Sequence, residues 1–276
     1  MPKSCYCGAN NFKTLYAKDV LYGAKNTFEY DVCKKCNSYY LKTKITNNNY
    51  DNNYYSLVSK KSHVHIDVLR RLRYRSYLGS IINFFKPVTT YNNFVIKYLK
   101  NNHSIPLDFG SGNNKYIHFI KKLNLVDSGY SFDPYAKDLK TIKDYKLIPF
   151  SEINLILSNQ AFEHVNDPLE LLNNLFNSTK GKCDLIFSVP VSGSILNHFQ
   201  ENSYTLQAPD HITILSIEAW KRLISMTDWK LNTMIEDNYS QKFYFKESLK
   251  ISKNKDVNFK DLMSDQVDNI IFHLKK

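Results

Sequence analysis

The pattern of apolar and polar positions divides the chain into three regions. Near the N-terminus, residues 28–32 alternate as a short strand does, and residues 38–41 resemble the returning strand. Between residues 64 and 85, apolar side chains recur every three or four positions, which predicts an amphipathic helix, and a further helix is predicted over 92–101. Residues 47–55 are polar and rich in asparagine, so they predict a connector.

From residue 105 onward, short apolar runs alternate with amphipathic segments. The predicted strands are 105–109, 128–132, 153–158, 184–189, 229–235 and 242–246, and the predicted helices are 115–123, 168–176, 216–226 and 259–274. Strands separated by helices are typical of a doubly wound, mostly parallel α/β sheet. We therefore predict a small module over 1–45, a connector with a basic helical segment over 46–104, and an α/β domain over 105–276.

Composition excludes several classes of protein. The chain of 276 residues has a mean hydropathy of −0.43 and lacks an apolar run of the about 18–20 residues that span a bilayer. The first twenty residues carry cysteines and charges where a signal peptide has an apolar segment. The 17 phenylalanines and 20 tyrosines argue against a disordered chain. We expect a soluble, cytoplasmic, globular protein with no membrane partner.

The formal net charge of +11 has two interpretations. It indicates either a polyanionic partner such as nucleic acid or a general bias towards lysine and asparagine. Much of the excess lies in residues 60–75, where Lys60, Lys61 and four arginines oppose only Asp67. That segment is either a solvated helix face, a contact for a phosphorylated or nucleotide-linked substrate, or a contact for nucleic acid.

Four of the five cysteines lie close together in the sequence. They are Cys5, Cys7, Cys33 and Cys36, in two short pairs joined by strands, which predicts a zinc-ribbon-like module. Four thiolates form a closed, structural zinc site. The first pair is Cys-x-Cys where Cys-x-x-Cys is commoner, so free thiols are the alternative. Cys183 is expected in the core.

The residues with the strongest chemical signal follow the strand at 105–109. Asp108 precedes a Gly-x-Gly turn formed by Gly110 and Gly112, and Asp133 ends the next strand. Glycines let backbone amides approach a ligand closely, and an acid in the position of Asp133 can bind ribose hydroxyls. A dinucleotide fingerprint would require a further glycine where Lys115 stands. Because Asp108 suits a ligand with a positively charged amino group, we favour S-adenosylmethionine; an α/β domain without a ligand is the remaining alternative.

Several segments resemble class I S-adenosylmethionine-dependent methyltransferases. They are residues 107–114, 132–134, 157–168 with its Glu-His-Val-x-Asp-Pro ending, 184–190 and 211–216. The resemblance covers residues 105–247 and implies a seven-stranded Rossmann-like sheet. The family's third glycine is replaced by Asn114, and no clear third strand is visible between Asp133 and Ile153, so the residue that faces adenine is not identified.

The resemblance also implies site residues. The cofactor would be bound by Asp108, Phe109, Gly110, Ser111, Gly112, Phe132, Asp133, Pro134, Asn159 and Gln160. A base is needed only when the acceptor must lose a proton, and His164 and His211 are the candidates. Glu163 is a candidate ligand for a metal or for the substrate. For the two histidines, a helix cap (His164) and a loop residue without a role (His211) are the structural alternatives.

The four-cysteine module together with Tyr54 and Tyr55 resembles a subgroup that acts on small molecules. The resemblance implies methyl transfer to a sugar or another polysaccharide-pathway intermediate. Two alternatives stay open. One is a methyltransferase that acts on ribosomal or transfer RNA, and the other is a binding protein that keeps the fold without catalysis.

Overall fold

The computed structural model divides the chain into two units. One unit comprises residues 1–45, 160–177 and 188–276, and we call it the first unit; the second unit comprises residues 46–159 and 178–187. The described residues are 4–19, 27–42, 89–112, 114–237, 241–253, 257, 259–262 and 267–276. The predicted helix over 64–85, the connector over 47–55 and the basic segment over 60–75 lie outside the described residues.

The described part of the chain contains strands and helices from residue 12 to residue 275. The strands are β1 (Phe12–Lys18), β2 (Thr27–Cys33), β3 (Tyr39–Leu41), β4 (Pro106–Phe109), β5 (Tyr130–Phe132), β6 (Leu155–Asn159), β7 (Asp184–Pro190), β8 (Thr213–Ile214), β9 (Lys230–Glu236) and β10 (Asn269–Lys275). The helices are α1 (Thr90–Asn101), α2 (Lys115–Lys122), α3 (Pro168–Ser178), α4 (Ser194–Phe199), α5 (Ile217–Ser225), α6 (Gln241–Ser252) and α7 (Phe259–Leu262). Short 3₁₀ helices cover Tyr145–Leu147, Phe162–His164, Gln200–Asn202 and Tyr204–Leu206.

The second unit contains the parallel part of the sheet, in the order β5-β4-β6-β7. β4 is parallel to both of its neighbours, and all four of its residues are buried, as expected for a strand covered on both faces. The helices predicted over 92–101 and 115–123 are confirmed as α1 and α2. Where a further strand would follow β5, the described residues show only an isolated parallel bridge between Phe132 and Ile142.

The mostly parallel α/β architecture is therefore confirmed, and the described residues contribute six strands to this sheet, where seven were expected. β7 contributes its first four residues to the second unit and its last three to the first. In the first unit the order continues β7-β10-β9, and β10 and β9 are antiparallel. None of the helices in the described part of the chain combines the length and apolar character needed to cross a membrane.

Two predictions near the C-terminus are wrong. In its described part, the segment predicted as a helix over 259–274 begins with the short helix α7 and ends in β10, whose residues Asn269–Leu274 are all buried. A run such as Ile270-Ile271-Phe272 fits a central strand, and pairing with β9 decides its conformation. The strand predicted over 242–246 is part of helix α6, which buries Gln241, Tyr244, Phe245 and Ser248 at helical spacing.

The N-terminal strands form an antiparallel sheet with a partner from far along the chain. The order is β1-β2-β3-β8, and Tyr39 pairs with Ile214. Tyr30 and Val32 of β2 are fully buried in a cluster that includes Leu196 and Leu206. The core of the cysteine-containing module is thus continuous with later residues of the first unit.

Candidate active site

The turn after β4 has the left-handed backbone that favours glycine. Gly110 has a φ of +75° and Gly112 a φ of +58°. The backbone N–H groups of Gly110 and Ser111 both donate to the carbonyl of Phe132, at 2.9 and 3.0 Å. These bonds hold the turn against the end of β5, so the first two parallel strands together shape the predicted cofactor site.

Two acids lie at this turn, and both are buried. Asp133 accepts hydrogen bonds from the backbone N–H of Gly112 at 2.9 Å and from that of Tyr135 at 2.8 Å. Burial, and secondarily the charge of Asp133, raises the pKa of Asp108 to about 7. A positively charged group placed beside Asp108 would offset both effects, because it favours the carboxylate.

The same turn has room for a ligand. A Cβ built on Gly112 meets nothing within 4 Å, so the space next to this glycine is open on the side where a side chain would project. The hydroxyl of Ser111 is buried and has no hydrogen-bond partner among the described residues. Three features of this turn fit S-adenosylmethionine. Asp108 would be stabilised as a carboxylate by a nearby cation, the backbone amides can be approached by a ligand, and the Ser111 hydroxyl can form a hydrogen bond.

Asn114 explains how this chain manages without the third glycine. It has a φ of +58°, a conformation that asparagine adopts more readily than most residues. Its side-chain oxygen accepts a hydrogen bond from the hydroxyl of Ser131, which fixes it at the start of α2. Asn114, which stands where the family has its third glycine, therefore adopts the backbone conformation that the turn requires.

Phe109 and Phe132, which are predicted to bind the cofactor, pack on one another. The rings of Phe109 and Phe132 are 5.0 Å apart, and Tyr145 meets Phe132 edge-on at 6.0 Å. Pro134 and Tyr135 are exposed beside them. Binding of the cofactor by Phe109, Phe132 and Pro134 stays a prediction.

Asn159, the last residue of β6, and Gln160, which follows it, differ in environment. Asn159 is exposed at the end of the strand. Gln160 has a φ of +56°, and its side-chain amide donates to Ser188 at 3.1 Å and to Asn269 at 2.9 Å. Asn269 in turn donates to Asp237 at 3.0 Å. No local sequence pattern predicts this network, because its four members lie on four distant segments of the chain. Binding of the cofactor by Gln160 stays a prediction.

The three predicted catalytic residues come together in the first unit. The Nε2 atoms of His164 and His211 each lie 3.9 Å from Oε1 of Glu163. Burial raises the pKa of Glu163 to about 8, and burial together with the neighbouring His164 lowers the pKa of His211 well below its ordinary value. His211 is therefore neutral at physiological pH. We call these three residues the Glu-His-His cluster.

The four N-terminal cysteines also come together. Their sulfur atoms lie within 4.8 Å of one another, with Cys5 and Cys36 at 3.5 Å and Cys7 and Cys33 at 3.6 Å. A hydrogen bond with Cys5 lowers the pKa of the Cys36 thiol to about 4. Four clustered thiols, one of them readily deprotonated, fit a zinc ion. Cys183 is buried, as predicted for a core residue.

Comparison with known proteins identifies the class. Residues 83–233 match a family model described as a methyltransferase domain. This match covers more than half of the chain, so the chain belongs to the methyltransferase domain family, and the predicted enzyme class is confirmed. Among curated proteins the chain has no significant match.

Two solved structures are similar to this chain across most of their own length. The plantazolicin methyltransferase BamL, in complex with a triazolic desmethylPZN analog and SAH, is 13% identical, with a TM-score of 0.48 over 76% of this chain and 96% of that chain. The YcgJ protein from Bacillus subtilis is 13% identical, with a TM-score of 0.47 over 67% of this chain and 97% of that chain.

Proposed function

We propose that the chain transfers the methyl group of S-adenosylmethionine to a small-molecule acceptor, a sugar or another polysaccharide-pathway intermediate. The observation that carries the cofactor assignment is the turn of Gly110 and Gly112 between two buried acids, Asp108 and Asp133. Membership of the methyltransferase domain family supports the reaction type.

Each cofactor residue has a role that follows from its chemistry. S-adenosylmethionine, when bound, supplies a methyl group on a positively charged sulfur. Asp108 would bind the amino group of its methionine end, and Asp133, held in place by Gly112, would accept hydrogen bonds from the ribose. Alignment of the acceptor with the methyl group is the protein's main contribution, which amounts to about 7–11 kcal/mol in well-oriented reactions.

The Glu-His-His cluster is our candidate for the site where the acceptor hydroxyl loses its proton. Glu163 follows the end of β6 by four residues, and open α/β sheets place their ligands beyond the carboxyl ends of the strands. Both histidines carry a proton on Nδ1, which leaves Nε2 as the atom that can accept one. Glu163 and His211 are buried, so the cluster suits a small acceptor.

The small-molecule acceptor is supported by the resemblance of the four-cysteine module to a subgroup that modifies sugars. We propose that Cys5, Cys7, Cys33 and Cys36 hold a structural zinc ion in a closed site without a catalytic role. Such clustered thiols stay reduced in the cytoplasm, where we place the enzyme.

A transfer assay with isotopically labelled S-adenosylmethionine tests the acceptor. The purified chain is incubated with nucleotide-linked sugars in one set of reactions and with total RNA in another. We expect label in the sugar fraction, a rate at least about 100-fold lower for His211→Asn, and an unchanged rate for the exposed control His118→Asn. Label in RNA alone would contradict the small-molecule proposal.

A further inference from the structure

We propose that Glu163, His164 and His211 bind a divalent first-row transition-metal ion. This site is separate from the four cysteines, and both sets of residues lie in the first unit. Metal binding itself follows from the geometry of the cluster. Its use in methyl transfer rests on the proposed function.

Glu163 provides the first reason. Its side chain is 1% exposed, and neither carboxylate oxygen has a hydrogen-bond partner among the described residues. A carboxylate buried in this way is costly unless a cation or hydrogen-bond donors compensate it. The nearest histidine nitrogens are 3.9 Å from Oε1, which is too long for a hydrogen bond. The carboxylate thus lacks what a metal ion would supply.

The two histidines provide the second reason. Nδ1 of His164 lies 2.8 Å from the carbonyl of Asp210, and Nδ1 of His211 lies 2.7 Å from the carbonyl of Thr205. A carbonyl only accepts, so each Nδ1 carries the proton, and in the neutral ring the lone pair that can coordinate a metal ion is on Nε2. Metal-binding histidines commonly donate their other ring nitrogen in this way, which fixes the tautomer and orients the ring.

The donor atoms are close to the spacing that a metal requires. One donor atom from each of the three side chains lies within 4.8 Å of the others, and Oε1 is 3.9 Å from both Nε2 atoms. Ligands at about 2.0–2.2 Å from one ion are about 3.0–3.5 Å apart in tetrahedral or octahedral geometry. A contraction of about 0.4–0.9 Å therefore brings the two Oε1–Nε2 distances to those of a bound ion, and small side-chain rotations produce such a change.

Backbone contacts hold the cluster in position without a metal. Glu163 and His164 are neighbours in one 3₁₀ helix, and the N–H of Ile212 donates to the carbonyl of Glu163 at 2.7 Å. The hydroxyl of Tyr30 donates to the carbonyl of His211 at 2.9 Å. The segments that carry all three side chains are thus joined to each other and to the sheet of the cysteine module, so the site is preorganised.

The ligand set indicates the class of ion and its use. Imidazole and carboxylate suit manganese, iron, cobalt and zinc, whereas thiolates favour zinc. Three protein ligands leave coordination positions open, which is the arrangement of catalytic metal sites. An acceptor hydroxyl bound at an open position would lose its proton to water more easily, because a bound cation lowers the pKa of an oxygen ligand. The histidines would then act as ligands, and no separate base would be needed.

Manganese binding tests this proposal in protein that carries one zinc ion per chain and has been dialysed free of excess zinc. Thiolates favour zinc, so the single zinc ion occupies the cysteines and Mn²⁺ reports on the remaining site. Titration followed by electron paramagnetic resonance should show one bound Mn²⁺ per chain. We expect Glu163→Gln, His164→Asn and His211→Asn each to weaken binding at least about tenfold. The exposed control His118→Asn should bind as the unmodified protein does.

If a histidine variant folds poorly, thermal unfolding of metal-free protein, with and without added Mn²⁺, provides a second test. Glu163→Gln keeps the size of the side chain and removes one metal ligand, so it should lose the rise in melting temperature that Mn²⁺ gives to the unmodified protein. Equal Mn²⁺ affinity in the unmodified protein and in Glu163→Gln would overturn the proposal. Binding of S-adenosylmethionine, measured in parallel, separates this failure from failure of the proposed function, because Asp108 and Asp133 do not belong to the cluster.

Discussion

The backbone N–H of Gly112 donates a hydrogen bond of 2.9 Å to Oδ2 of Asp133. This bond connects the glycine turn after β4 with the acid that ends β5, twenty-one positions further along the chain. The position of the carboxylate therefore depends on the backbone conformation of the turn. Substitutions in either element are expected to change cofactor binding through the other.

Gly112→Ala should weaken cofactor binding much more than it weakens the fold. Alanine at a φ of +58° costs about 1 kcal/mol of stability, and its methyl group would occupy the open space beside the turn. We expect at least about a tenfold loss of S-adenosylmethionine affinity by calorimetry. Gly181 is a matched control, because it has a φ of +69° and equally open surroundings. Gly181→Ala should lose similar stability and bind normally; equal affinity losses in the two variants would contradict the account.

Affinity for S-adenosylmethionine should fall as the pH drops below about 7. The pKa of Asp108 is raised to about 7 by burial and by Asp133, so the free protein holds a proton there at lower pH. Binding of a positively charged amino group requires the carboxylate, and the proton must leave. Tyr91 also interacts with Asp108, and burial raises the pKa of Tyr91 well above its ordinary value, so it stays neutral in this range.

One linked proton gives a loss of up to about tenfold per pH unit, measurable by calorimetry between about pH 5.5 and 7. 5′-Methylthioadenosine lacks the amino group and serves as the control ligand. Its affinity should not vary over this range. A pH profile shared by both ligands would exclude Asp108 as its source.

Cys33→Ser should remove zinc and destabilise the first unit. The substitution takes one of four clustered thiolates from the proposed closed site, and the binding energy of a structural zinc contributes directly to folding. We expect less than one zinc per chain by metal analysis, together with a loss of about 2 kcal/mol or more in urea unfolding. Cys183→Ser, which alters a buried cysteine outside the cluster, should retain its zinc. Zinc-free unmodified protein, purified without chelator, would rule out the site.

Asn269→Ala should destabilise the fold through the buried polar network. It removes the partner of Gln160, Ser188 and Asp237 at once, so about 1–3 kcal/mol should be lost in urea unfolding. Asn93→Ala on the exposed face of α1 is the control, with an expected change within about 0.5 kcal/mol. Equal stability of the two variants would show that the network contributes little.

The sequence predicts most of the parallel sheet, because the local sequence of these segments favours strands and their burial in the fold favours strands too. Each strand from β4 to β7 is a short apolar run, and glycine and acid positions mark the strand ends where chemistry occurs. β10 was wrongly predicted as a helix because its burial on both faces gives no alternation. Helix α6 was wrongly predicted as a strand because the run Phe243-Tyr244-Phe245 has high strand propensity, whereas its burial follows helical spacing.

The sequence predicts which residues belong to the candidate site, but it does not predict the contacts that bring them together. Glu163, His164 and His211 were each identified from the sequence, yet their convergence depends on the contact between Ile212 and Glu163, which no local pattern reveals. Likewise, the sequence shows that Asn114 replaces the family's third glycine, but only the structure shows that Asn114 has the left-handed backbone conformation of a glycine. Contacts between distant segments explain both results.

Calorimetric titration with S-adenosylmethionine tests the central claim most directly. We predict one cofactor per unmodified chain, a loss of affinity of at least about tenfold in Asp133→Ala, and unchanged binding in the exposed control Asp127→Ala. Absence of binding to the unmodified protein, or equal affinity in Asp133→Ala, would contradict the assignment of this chain as an S-adenosylmethionine-dependent enzyme.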